Sequence, residues 1–174
     1  MEVKEIMDKP NILFLDIDGV VNSDKYHREH ISYLCGIERD PEVVKMINEF
    51  CNECNCKIVI SSSWRHEEHL MKILRNDFPG LIIGTTLTDT EERYKDYYSR
   101  SAEINTWLIE HKGEWNNFIV FDDQRLDFKG HPNYIRTSAS VGLTDKNVDA
   151  ARLVLGYEPK KYTKSELLEM NDGL

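Results

Sequence analysis

Two hydrophobic rhythms alternate along this chain from one end to the other. Short continuous apolar runs at 12–16, 57–61, 81–85, 118–122 and, more weakly, 134–137 read as strands buried on both faces. Between them, apolar residues recur at i, i+3, i+4 and i+7. That spacing predicts helices over 41–54, 66–77, 101–111 and 145–155, with a short piece near the C-terminus. Asp40 offers an N-cap with Pro41 at the first helical position, and Thr163 with Glu166 makes a capping box for the last piece. Strands without polar alternation, separated by amphipathic helices, imply a parallel sheet covered on both sides. The expected fold is a doubly wound α/β sandwich.

Composition narrows the picture modestly. A chain of 174 residues suits one domain with a substantial core, expected here over about 10–156 with a short helical tail at 157–174. It carries 31 acidic against 22 basic residues, a net charge of -9, so there is no extensive footprint for duplex nucleic acid. Phosphates can still be held locally by a few arginines, helix N-termini and a metal ion. No apolar run approaches membrane-spanning length and the segment from Met1 to Pro10 lacks a signal-peptide core, so a soluble cytoplasmic protein is expected. Of the four cysteines (Cys35, Cys51, Cys54 and Cys56), Cys51 and Cys54 share the apolar helix face of Val43, Val44, Ile47 and Phe50. They read as small core residues, and zinc would need a further ligand from elsewhere.

The chemistry lies where the strands end. In Ile12-Leu13-Phe14-Leu15-Asp16-Ile17-Asp18-Gly19, a buried run closes on two aspartates and a glycine. An unpaired buried carboxylate is costly, and two clustered ones suit Mg²⁺; taken alone, the segment also fits a plain polar turn. In a doubly wound sheet, ligands sit beyond the carboxyl ends of the strands. The second strand delivers Ser61-Ser62-Ser63-Trp64-Arg65 to that edge and the fourth delivers Asp122-Asp123. Ser63 reads as a helix cap, whereas Ser61, with Ser62 beside it, is placed to bond a phosphoryl oxygen. Three strands converging on one edge favour a Mg²⁺-dependent phosphoryl site over three separate coincidences.

These residues resemble the motifs of the haloacid dehalogenase-like (HAD) phosphohydrolases over roughly residues 10 to 156. Asp16-Ile17-Asp18-Gly19 matches their D-x-D-G, Ser61 their strand-closing serine, and Asp122-Asp123 their acidic pair, with Asp127 completing a D-x-x-x-D spacing. Arg100 stands where the third motif usually has lysine, with Lys95 and Lys112 as alternatives. The resemblance implies a Rossmann-like three-layer sandwich with a five-stranded parallel sheet and a minimal cap. It implies Asp16 as nucleophile and Asp18 as general acid and base. It further implies Mg²⁺ held by Asp16, the Asp18 carbonyl and Asp123, with Asp122 orienting bound water and with Ser61 and Arg100 on the phosphoryl oxygens.

Substrate is less legible. Between the first motif and the helix at Asp40 only Ser23 to Arg39 are free, enough for a flap, and the second cap slot keeps about Leu87 to Ser99. The site should admit a polymer end or a nucleotide. The serine-tryptophan-arginine stretch is similar to HAD domains of nucleic-acid repair and nucleotide-processing proteins. Trp64 and Arg65 are candidates for rim contacts, and Trp64 suits packing equally well. Tyr94, Tyr97 and Tyr98 match one helix face and read as packing before base stacking. His66 and His69 suit a solvated helix face, and His111 the end of its helix. The expected activity is a phosphomonoesterase on a nucleotide or nucleic-acid terminal phosphate. The alternative is a non-catalytic module that sequesters a phosphorylated ligand, and a phosphoprotein or sugar phosphate stays open as substrate.

Overall fold

The computed structural model describes residues 9–30, 37–86, 99–124 and 131–168. Five strands, β1 (Asn11–Leu15), β2 (Cys56–Ile60), β3 (Ile82–Thr85), β4 (Phe118–Asp122) and β5 (Tyr134–Arg136), pair in parallel in the order β3-β2-β1-β4-β5. The helices are α1 (Asp24–Glu29), α2 (Pro41–Glu53), α3 (Glu68–Asp77), α4 (Arg100–Glu110), α5 (Asp145–Val154) and α6 (Lys164–Leu168). This is the expected Rossmann-like α/β sandwich.

Period-two alternation sorts the strand residues into two apolar layers. Leu13, Leu15, Ile58, Ile60, Ile119 and Phe121 face one way and pack with Ile47 and Phe50 of α2, Leu74 of α3 and Val148 of α5. Ile12, Phe14, Val59 and Val120 face the other way, against Ile104, Trp107 and Leu108 of α4. On that second face the Phe14 and Trp107 rings meet edge-on at 5.4 Å. With both faces covered, the middles of the central strands (12–15, 58–60 and 119–121) are apolar on both sides, which is why they read as unbroken apolar runs.

Both predicted caps form. Asp40 accepts the Glu42 N–H at 2.9 Å with Pro41 at the start of α2. Thr163 and Glu166 exchange the two bonds of the capping box before α6. The expected helix at about 66–77 forms as α3, preceded by a 3-10 turn at Ser63–His66. The cap of that turn is Ser62 and not Ser63, because the turn begins at the end of β2 and needs its first acceptor one residue earlier. Helix α1, in the stretch read as a flap, was not foreseen. Cys51, Cys54 and Cys56 are buried free thiols, whereas Cys35 lies outside the described residues. Burial pushes the Cys54 thiol up to about 12. His66 and His69 are exposed, and His111 caps the end of α4, its ring stacked on Trp107 at 4.0 Å. Among the described residues no helix is long and apolar enough to cross a membrane.

The β1 strand sits in the middle of the sheet. From it the chain moves outward through β2 and β3, then returns across to β4 and β5. The direction reverses between β1 and β4, so the crevice at their carboxyl ends is the topological switch point.

Away from that crevice, one buried carboxylate ties down the segment after α5. Asp149 accepts the backbone N–H groups of Lys160, Lys161 and Tyr162 at 3.0, 2.6 and 3.1 Å and the Arg152 guanidinium at 2.7 Å. Arg152 also reaches Glu53 on α2 at 2.9 Å. These donors hold the Asp149 carboxyl below its ordinary value despite burial, which opposes them. A carboxyl depressed on folding stabilises the protein above its unfolded value of about 4, and that stabilisation is lost as pH falls through the folded value. Asp149→Asn is therefore expected to cost about 3 kcal/mol at neutral pH. The gap between variant and parent should narrow below about pH 4. Urea unfolding at pH 7 and pH 3 measures both.

Candidate active site

The pairing register builds the site. Leu15 lies opposite Ile60 on one side and Phe121 on the other. The next residue of each strand, Asp16, Ser61 and Asp122, therefore arrives at the same level. The Asp16 N–H donates to the Phe121 carbonyl at 3.0 Å, and the Ser61 N–H donates to the Leu15 carbonyl at 3.0 Å. Carboxylate oxygens of Asp16, Asp122 and Asp123 lie within 4.8 Å of one another, the one such cluster among the described residues.

After Asp16 the chain turns over itself. Ile17, Val20 and Val21 are fully buried and anchor the turn from below, leaving Asp18 above it and exposed. Gly19 adopts φ +75, and a Cβ there would lie 2.5 Å from the Asp123 carboxylate. The glycine is thus required twice, once for the turn and once to leave room for Asp123. Loop residues after β5 brace the same turn: the Thr137 hydroxyl donates to the Gly19 carbonyl at 2.9 Å, and the Leu143 N–H to the Val20 carbonyl at 2.9 Å.

Arg100, the first residue of α4, is the cation of the cluster. Its Nη1 lies 2.8 Å from both Asp16 and Asp122. Burial pushes the Asp16 carboxyl up to about 6, against the pull of Arg100 and with added repulsion from Asp122. Burial raises Asp122 and Asp123 as well. Among the described residues Arg100 bridges two of the three crowded carboxylates while Arg136 acts on Asp123 from beside it, and the donors are all hard oxygens. The set fits a hard divalent cation such as Mg²⁺. Asp18 joins the cluster with neither oxygen of its side chain: Oδ1 accepts from Asn22 at 2.8 Å and Oδ2 from the Trp64 indole at 3.1 Å.

The serine loop differs from the expectation. A cleft of about 370 Å³ is lined by Asp16, Asp18, Ser63, Arg100 and Asp123 among others, with His27 at its side, 3.7 Å from Glu38. Ser61 and Ser62 are fully buried and do not line it. The Ser62 hydroxyl accepts the Trp64 N–H at 3.4 Å and lies near enough to Asp16 to pull its carboxyl down, while the Ser61 hydroxyl is sealed with no partner among the described residues. Because the chain turns inward before it emerges, the serine exposed to the cleft is Ser63.

Nor do Trp64 and Arg65 stand at the rim. Trp64 is 6 % exposed. The Arg65 side chain is 7 % exposed, tucked under the loop where it donates to the Ser61 and Ser62 carbonyls at 2.8 and 3.0 Å and grips both oxygens of Glu103 on α4. Each has a partner for its polar atoms, Asp18 for Trp64 and Glu103 with two carbonyls for Arg65, which an outward rotamer would forfeit. Lys112 follows α4 and does not line the cleft. Asp127, Lys95, Arg93 and the tyrosines at 94, 97 and 98 lie outside the described residues. Asn22, Glu103 and Thr137 went unread in the sequence. Only Asn22 carried a signal, as the first polar side chain after the buried Val20-Val21.

Gly19→Ala is expected to displace Asp123 and weaken Mg²⁺ binding at least ~10-fold, the scale of losing an orienting contact at a metal. Calorimetric titration with Mg²⁺ reads it directly, and unchanged affinity would separate Asp123 from the cation site.

A family model described as the HAD domain in Swiss Army Knife RNA repair proteins matches residues 12–148. No curated protein and no solved structure matches the chain. The matched span runs from β1 into α5 and contains every residue of the acidic cluster and its arginine. The chain belongs to the HAD domains of Swiss Army Knife RNA repair proteins, a fold of the phosphohydrolase type.

Proposed function

We propose that this protein is a Mg²⁺-dependent phosphomonoesterase that forms an aspartyl-phosphate on Asp16 and acts on the terminal phosphate of a nucleic-acid strand, RNA foremost. The observation that carries the reading is the pairing of two different aspartates at one turn. Asp16 is buried against Arg100 and Asp122, whereas Asp18 is exposed at the cleft wall. A module that only captured phosphate would need no second carboxylate there, since it would repel the ligand.

In this reading an Asp16 oxygen attacks phosphorus as the ester P–O bond breaks, and Asp18 gives its proton to the departing alkoxide. Asp18 then takes a proton from water as that water attacks the phosphorus, returning Asp16 and releasing inorganic phosphate. Arg100 holds Asp16 in line and offers its remaining N–H donors to the phosphoryl oxygens, with Ser63 beside it. Asp16 and Asp123 would hold Mg²⁺, with Asp122 next to them; bound there, the ion would neutralise charge on the transferring group. Asp18, with its side chain engaged elsewhere, would contribute at most its carbonyl.

The family description supports an RNA end as substrate. So does a second groove of about 620 Å³ that meets the cleft at Asp123 and Ala139 and carries Arg136 and Lys146. In an acidic protein, two cations leading away from the catalytic edge suit the backbone of a strand whose end lies at Asp16.

A phosphate-release assay over 3′- and 5′-phosphorylated oligoribonucleotides, their DNA counterparts, nucleoside monophosphates and sugar phosphates tests this. The oligoribonucleotides should be the better substrates, with turnover abolished by Asp16→Asn or EDTA and restored by Mg²⁺. Faster release from sugar phosphates would overturn the substrate, and turnover by the Asp16→Asn protein would overturn the nucleophile. Tight binding of phosphorylated ends without release would favour sequestration.

For the arginine, Arg100→Ala should lower kcat/KM by ~10²-fold or more, as expected for losing a preorganised donor. It should also lower Tm, since Asp16 and Asp122 lose their shared partner, and Arg100→Lys should recover part of both. Lower Tm with undiminished kcat in the folded fraction would confine Arg100 to a structural role.

A further inference from the structure

We propose that Trp64 and Asn22 are positioning residues that aim the proton of Asp18 into the cleft, an inference that rests on the acid-base role given to Asp18 above. The indole N–H can only donate. The amide of Asn22 is fixed in orientation because its Oδ1 accepts the Gly19 N–H at 3.1 Å, which turns Nδ2 toward Asp18. Both Asp18 oxygens therefore face donors that cannot accept a proton. Each oxygen has a second lone pair, and a proton carried by Asp18 must sit on one of those, on the side away from Trp64 and Asn22. Asp18 is exposed and lines the cleft, so that open side is where a leaving oxygen or attacking water would stand.

The clamp is rigid on both sides. Asn22 is 2 % exposed and Trp64 is 6 % exposed within the main core. The turn bearing Trp64 is held at its start by the Ser62 hydroxyl and from beneath by Arg65, which the Glu103 carboxylate of α4 grips at 2.9 and 3.0 Å. Glu103 lies one turn from Arg100, so the group that orients the acid and the cation beside the nucleophile share one frame. A phenylalanine would keep an aromatic ring at this core position, leaving a small gap, but without the donor. What tryptophan adds is the N–H aimed at Asp18.

The test compares kcat/KM, which reports transfer to Asp16, on two kinds of ester in Mg²⁺. A phosphorylated oligoribonucleotide releases an alkoxide that needs the proton, whereas p-nitrophenyl phosphate releases a phenolate that hardly does. Trp64→Phe is expected to lower kcat/KM ~10-fold or more on the oligonucleotide, a fraction of what a general acid supplies, and much less on the aryl ester. Asn22→Ala should give the same selective pattern. In an Asp18→Asn background Trp64→Phe should add nothing further on either ester, as residues acting through one group are non-additive. An equal fall on both esters with a lower Tm, or no fall on either, would overturn the clamp and leave Trp64 a packing residue. Should Trp64→Phe fail to fold, Asn22→Ala and its cycle with Asp18→Asn decide alone. A parent protein inactive on both esters would instead overturn the phosphomonoesterase reading itself.

Discussion

Three carboxylates cannot crowd into a buried corner unless something positive shares it, and this structure is organised around that constraint. Side-by-side pairing of β1 with β4 brings Asp16, Asp122 and Asp123 together whether or not the charges agree. Arg100 answers part of the charge from the first turn of α4. Burial keeps the Asp16, Asp122 and Asp123 carboxyls raised even so, and the proposed Mg²⁺ would answer that strain. Gly19 belongs to the same arrangement, since any side chain there would occupy the space of Asp123. Sheet topology thus sets an electrostatic problem at the switch point, and the surrounding residues are the answer to it.

Division of labour between Asp16 and Asp18 follows from two residues of backbone. Ile17 is drawn into the core, and its neighbours consequently emerge on different terms: one buried against an arginine, the other exposed and hydrogen-bonded by neutral donors. Carboxylates in such unlike surroundings are suited to unlike tasks. The same turn is pinned by Thr137, from the loop after β5.

Much of this was legible in the chain because it depends on position relative to strand ends. Unbroken apolar runs gave β1, β2 and β4, and the polar residues next after them gave the acidic cluster without any knowledge of three-dimensional contacts. Orientation was harder. Ser61, Ser62 and Ser63 are chemically identical, and which of them caps, which is sealed and which meets the cleft turns on a one-residue shift in where a 3-10 turn begins. Trp64 and Arg65 read outward or inward equally well until their partners are known. Those partners lie 46 residues away for Trp64 and 38 for Arg65, and the Thr137 contact spans 118. No local pattern encodes such pairings; they exist only once the sheet has closed.

The bridge from Arg65 to Glu103 has a consequence for how such a domain can diversify. It joins the loop after β2 to α4, and each of those elements lends the cleft a residue, Ser63 from one and Arg100 from the other. A substitution that repositions one element drags the other, so the serine loop cannot be reshaped while the arginine helix stays still. Lineages that remodel this edge must change both ends in concert or abandon the tie altogether. Residues 65 and 103, which do not line the cleft, are accordingly where the evolutionary history of the site would be written most plainly.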